Sequence, residues 1–170
     1  VLTGCKGVVI EFINLDFPVD EITEKSLASS QFEEFMVGGL LVEPRIMFTH
    51  ITDSNPSRNY YLGLIFHSTH KDKPLPIVRS ANLFINGKSV DRDLGIADTR
   101  PSPWRVSPYN KNLFISNLSG DELFSASADL KKTKISIMVS LELKVEGASN
   151  IKKEIHCNFS ARKRSRFLKW

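Results

Sequence analysis

His67 and His70 are the first residues whose types could do chemistry, since two imidazoles close together can share a metal ion. Three positions apart at the end of an extended segment they diverge, and no carboxylate or cysteine stands at ligand spacing from them. Cys5 and Cys157 are the only thiols, and His156 beside Cys157 has the composition of a thiol–imidazole pair. Adjacent residues of a strand point to opposite faces, so that pair is predicted not to meet. Asp91-Arg92-Asp93 reads as a solvated charge cluster in a loop rather than an acid/base pair, and no glycine-rich phosphate loop occurs. The sequence therefore predicts no catalytic residue, no metal site and no cofactor. What remains is recognition.

The formal net charge of +4 is concentrated at one end, because Arg162, Lys163, Arg164, Arg166 and Lys169 fall within the last nine residues. Without those five the remainder carries about −1, so the body is not a basic surface. The basic stretch, residues 161–170, is predicted to be a tail outside a domain spanning residues 1–160. It has three readings, favoured in this order: a linker toward a further domain, a nuclear-targeting or interaction patch, and a nucleic-acid contact. Nucleic acid is thus an unfavoured partner. No run approaches the roughly 18 apolar residues of a membrane span, and the beginning of the chain lacks the charged-then-apolar order of a signal peptide. Two cysteines near opposite ends make no disulfide framework. The expectation is a cytoplasmic or nuclear protein without membrane contact.

The elements that must position any recognition surface read as strands. Tyr60–His67 is predicted to be central, with Leu62, Leu64 and Phe66 toward a core and Tyr61, Gly63 and Ile65 on the opposite face. Residues 8–15 and 40–49 are further strands, and Pro44 argues for an edge or bulge in the second. Residues 81–85 alternate, setting Phe84 on the face opposite Leu83, and Asn86-Gly87 marks a hairpin. Residues 89–108 read as a long loop holding Trp104, either functional or mobile. Tyr109–Ile115 is predicted to be a short strand and Ser119–Phe124 a capped helical turn. Ile135, Ile137, Val139, Leu141, Leu143 and Val145 alternate with Ser136, Met138, Ser140, Glu142, Lys144 and Glu146, and Ile155, Cys157 and Phe159 with His156, Asn158 and Ser160. Seven to eight strands, almost no helix and no βαβ rhythm predict an all-β antiparallel sandwich.

Tyr61 and Phe84 stand out as rings opposite runs of aliphatics, either covered by the loop at 89–108 or left open to a guest. The order of short motifs resembles the MATH (TRAF-C-like) family. Phe12-Ile13-Asn14-Leu15 resembles its opening strand, Ser29-Ser30-Gln31-Phe32 and Val37-Gly38-Gly39 its next two elements, Tyr61-Leu62-Gly63-Leu64 its Tyr-Leu-Ser-Leu strand and Ile135–Leu143 its closing strand. The resemblance implies a module that binds short extended peptides along one sheet, as an adaptor or substrate reader in ubiquitin-pathway or scaffold assemblies. It implies peptide contact by Tyr61 beside Gly63, by Phe84 on the neighbouring strand, and by Tyr109 with Trp104 near it. A self-associating scaffold is the alternative, and a homo-oligomer is compatible with either reading.

Overall fold

The computed structural model describes residues 6–17, 21–48, 59–125 and 131–167, without the side chains of residues 6–9, 124–125 and 164–167. The strands are β1 (Lys6–Asn14), β2 (Met36–Val37), β3 (Leu40–Phe48), β4 (Asn59–Ser68), β5 (Ile77–Ile85), β6 (Lys88–Val90), β7 (Arg105–Val106), β8 (Phe114–Ser125), β9 (Lys134–Leu143) and β10 (Ile151–Phe167). A single α-helical turn, α1 (Glu24–Leu27), and a 3-10 turn (Ser30–Phe35) lie between β1 and β2. Two five-stranded antiparallel sheets result: sheet A in the order β1-β10-β9-β5-β6, and sheet B in the order β2-β3-β4-β8-β7. The chain is an all-β sandwich. Seven strands are long, and the excess over the predicted number comes from the two- and three-residue pieces β2, β6 and β7.

Period-two patterning explains the layers. On β9, Ile135, Ile137, Val139, Leu141 and Leu143 are buried while Ser136, Met138, Ser140 and Glu142 are half-buried on the outer face. Ile155, Cys157 and Phe159 of β10 lie beside them and face Leu62, Leu64 and Phe66 of β4 across the sandwich. Each such side chain contributes roughly 1.5–3 kcal/mol when fully buried. Tyr60 ties the sheets together: its hydroxyl donates to the Ile10 carbonyl (2.8 Å) and its ring meets Phe12 edge-on. Gly38 and Gly39, with φ of +57° and +77°, make the tight link from β2 to β3. Pro44 does lie on an edge: β2 pairs only with Leu40 and Leu41, and no strand flanks residues 42–47 on that side among those described.

Three expectations are corrected. Ser119–Phe124 is not a helical turn but the second half of β8, which pairs with Tyr61 and Gly63 through two register shifts. The local capping pattern loses to the sheet because a strand there satisfies a full ladder of backbone groups. Tyr109 is not in a strand, since β8 begins at Phe114 and residues 107–113 form a turn closed by Ser107 N–H to the Leu113 carbonyl. The loop at 89–108 is tied down rather than free. Leu94 and Ile96 are buried, Ser102 N–H donates to the Asn117 carbonyl, Asp121 N–H donates to the Leu94 carbonyl, and Asp98 N–H reaches Val78. It closes the side of the sandwich between β5 and β8, leaving little backbone there for another chain to pair with.

The fourth correction concerns the basic tail. β10 continues through residue 167, paired in register with β1 from Asn14↔Phe159 to Lys6↔Phe167, so a boundary at 161 would cut a strand. Lys169 lies outside the described residues, as does Cys5.

Candidate recognition surface

Residues directly opposite one another in an antiparallel ladder share a face. The outer face of sheet B is therefore built in rows across β3, β4 and β8: Met47, Tyr61 and Glu122; Arg45, Gly63 and Ser119; Glu43, Ile65 and Asn117; Leu41, His67 and Ile115. Tyr61 is half-buried at one end of this track. Gly63 leaves no gap, because the Met47 side chain lies over it and its terminal methyl occupies the space a Cβ would need. Tyr61 and Phe84 do not share a surface. Phe84 is on β5 in sheet A, half-buried opposite Ser136 and Ser89. Alternation gives the face within a strand, but the partner sheet comes from long-range pairing.

At the far end of the track Glu43, 6% exposed, accepts from Arg45 Nε at 2.5 Å and from His67 Nε2 at 2.8 Å. A carboxylate can only accept, so Nε2 is the donor of this pair. The buried Nδ1 of His67 has no hydrogen-bond partner among the described residues. Ile22, Ser107, Tyr109 and Leu113 rise around the trio and complete an open cleft of about 400 Å³. A second depression of about 430 Å³ lies at the open side of the sandwich between β1 and β3, where Asn14 Nδ2 donates to the Pro44 carbonyl.

The cleft is framed by local chemistry. Thr23 and Ser26 cap α1 reciprocally, and Asn110 and Asn112 donate to the two oxygens of Glu24 at 3.0 and 2.5 Å. The backbone amide at Glu24 and these two side-chain amides hold the Glu24 carboxyl below its ordinary range. Tyr109 projects from the same turn, 88% exposed, with Val106 exposed nearby. Trp104 does not reach the cleft floor: its indole N–H donates to the Lys73 carbonyl (2.8 Å) and its ring packs on the core. The predicted set thus divides, with Tyr61 and Gly63 on sheet B, Tyr109 in the turn between β7 and β8, Phe84 on the opposite layer and Trp104 in the edge seal. Glu43 and Arg45 escaped the sequence reading. Their signal was alternation along β3, which sets Leu41, Glu43, Arg45 and Met47 on one face.

No protein-family model, curated protein or solved structure matches this chain.

The remaining reactive groups have structural surroundings. Asp93 accepts from Gly95 N–H and Arg92 reaches the Leu123 carbonyl, so the charge cluster braces the edge loop. His70 is exposed while His67 is buried, and among the described residues no three His, Cys, Asp or Glu side chains gather as a metal site. Burial pushes the Cys157 thiol up to about 12. An unfolded thiol ionises near 8.5, so the folded state loses stability as pH rises from about 9 toward 12, by up to roughly 1.4 kcal/mol per pH unit. Urea titrations are expected to show this loss in the wild type and its absence in Cys157→Ala. Native Cys157 is also expected to resist a soluble thiol reagent at pH near 8. Rapid labelling of Cys157 itself, located by peptide mapping apart from Cys5, would contradict the burial.

Among the described residues no helix is long and apolar enough to cross a membrane.

Proposed function

We propose that this domain is a protein-interaction module that captures an extended peptide across the outer face of sheet B, between Tyr61 and Tyr109. One observation carries the reading: an almost fully exposed tyrosine stands over a cleft whose floor is a buried carboxylate–imidazole pair. Exposed rings beside a cleft supply anchors for a guest. The track from Tyr61 to His67 spans roughly 20 Å, the length of about six extended residues. Its openness suits a strand-like guest better than an enclosed small molecule. The order of motifs resembling the MATH family supports the same reading, including adaptor work in ubiquitin-pathway or scaffold assemblies. Catalysis is disfavoured because Nδ1 of His67 is sealed from solvent and the one described thiol is held protonated.

Two or three apolar anchors at roughly 1.5–3 kcal/mol each, set against the cost of association, give micromolar affinity at best. On arrays of peptides of roughly ten residues, Tyr61→Ala/Tyr109→Ala is expected to weaken the bound set at least about tenfold. Phe84→Ala, altered on the other sheet, is expected to leave that set unchanged. Equal losses for both variants would defeat the assignment to sheet B. Self-association is the second reading: Pro44 removes a donor from the open edge of β3 and the edge strands β2, β6 and β7 are very short, so β1 is the long edge a second copy would have to pair with.

A further inference from the structure

The sequence holds two Ser-Pro dipeptides, Ser102-Pro103 and Ser107-Pro108, both in the segment that closes the side of the sandwich. A kinase that requires proline immediately after its acceptor serine reads the two alike. The fold holds them differently.

Ser102 is built into the seal. Its N–H donates to the Asn117 carbonyl (2.8 Å), its hydroxyl oxygen accepts from Asn117 N–H (2.9 Å), and its carbonyl accepts from the Ser116 hydroxyl. Trp104, two residues on, packs against the core. Drawing this stretch into a kinase groove breaks all of these contacts. Ser107 lies instead where the chain leaves β7, the outermost strand of sheet B. Arg105, Val106, Pro108 and Tyr109 on either side of it are exposed, and the ladder beside it is two pairs long. Its hydroxyl oxygen accepts a long bond from Tyr109 N–H (3.3 Å). Pro108 biases Ser107 toward extended backbone, the form in which a kinase takes up its substrate. A short edge segment with exposed neighbours opens at low cost.

Ser107 also lines the cleft, together with Glu43, Arg45, His67 and Tyr109. We propose that Ser107 is the acceptor of a proline-directed protein kinase, and that a phosphate there shuts the cleft to the guest peptide. In the transfer, Ser107 Oγ attacks the γ-phosphorus of ATP held by the kinase. An O–P bond forms as the bond from that phosphorus to ADP breaks, and the hydroxyl proton passes to the kinase's catalytic carboxylate. The product carries a charge of about −1.5 to −2 and three acceptor oxygens. Arg45, engaged by Glu43 through Nε, is the one Lys or Arg lining the cleft among the described residues. A phosphate paired with it bridges wall and floor and takes the place of a guest side chain.

The test incubates the folded full chain with ATP and a purified mitogen-activated protein kinase, and locates phosphate by peptide mapping over time. Ser107 is expected to be modified at least about tenfold faster than Ser102, and Ser107→Ala is expected to lose that rapid phase. Ser102 labelled at a comparable rate, or no label at Ser107, would overturn the assignment. The blocking role rests on the peptide reading above and has its own arm. Fluorescence anisotropy with labelled peptides from the array compares the phosphorylated chain with the same sample after phosphatase. Phosphate is expected to weaken binding at least about tenfold, and phosphatase to restore it. Unchanged affinity would overturn the blocking role. A chain that takes phosphate at Ser107 but captures no peptide in either state would defeat the peptide reading and the blocking role together, and leave the modification site standing.

Discussion

Glu43→Ala is expected to destabilise the domain by about 2–4 kcal/mol in urea unfolding. The carboxylate is buried and satisfies both Arg45 Nε and His67 Nε2. Its removal leaves an imidazole, 9% exposed, with neither nitrogen paired, since Nδ1 already lacks a partner. Glu43→Gln keeps an acceptor in nearly the same shape and is expected to cost about half as much. The double change Glu43→Leu/His67→Leu removes both members of the pair and fills the space with apolar atoms, so it is expected to fall within about 1 kcal/mol of the wild type. The same double variant is expected to lose peptide capture, which separates the role of the trio in recognition from its role in folding. A Glu43→Ala protein as stable as the wild type would show that the trio is not closed in solution.

Gly120→Ala is expected to cost about 2–3 kcal/mol, although it adds a single methyl to a strand. That methyl would collide with the Leu94 carbonyl and with the Ile96 side chain. The segment cannot withdraw cheaply. Asp121 N–H bonds the same Leu94 carbonyl, Arg92 holds the Leu123 carbonyl, and both Leu94 and Ile96 are buried. Gly63→Ala is the internal control. There the obstacle is the flexible end of Met47, which can swing outward, so the expected cost is below about 1 kcal/mol. If the two substitutions proved equally mild, the loop at 89–108 would not be pressed against β8 as described.

Both predictions rest on contacts that no local pattern announces. Residue 120 sits in a stretch whose composition suits a helix cap, and only its place in β8, at the register shift between Ser119 and Glu122, and the approach of Leu94 make it a close-packed position. Glu43 follows Leu41 and precedes Arg45 on the outward side of β3, which reads as an ordinary solvated row. Burial of the pair comes from Ile22 and Leu113, carried in by the segment before α1 and by the turn preceding β8. The Tyr61 and Phe84 pairing failed for a related reason. Neighbouring strands in sequence need not neighbour in a sheet, and β4 and β5 belong to different layers.

What the sequence determined by itself was the two-layer architecture and its inward faces. A period of two is a property of the extended backbone, so Ile135 to Leu143 or Leu62 to Phe66 declare their buried side without reference to anything distant. Pro44 at an edge and Asn86-Gly87 in the hairpin, with φ of +51° and +79°, follow from single-residue geometry in the same way. Tertiary structure alone decided which strands became partners, what covered His67, and that residues 161–167 would pair with a strand near the other end of the chain. Strand pairing joins residues far apart in sequence, and its energy lies in packing and ladder contacts that exist only once both strands are in place.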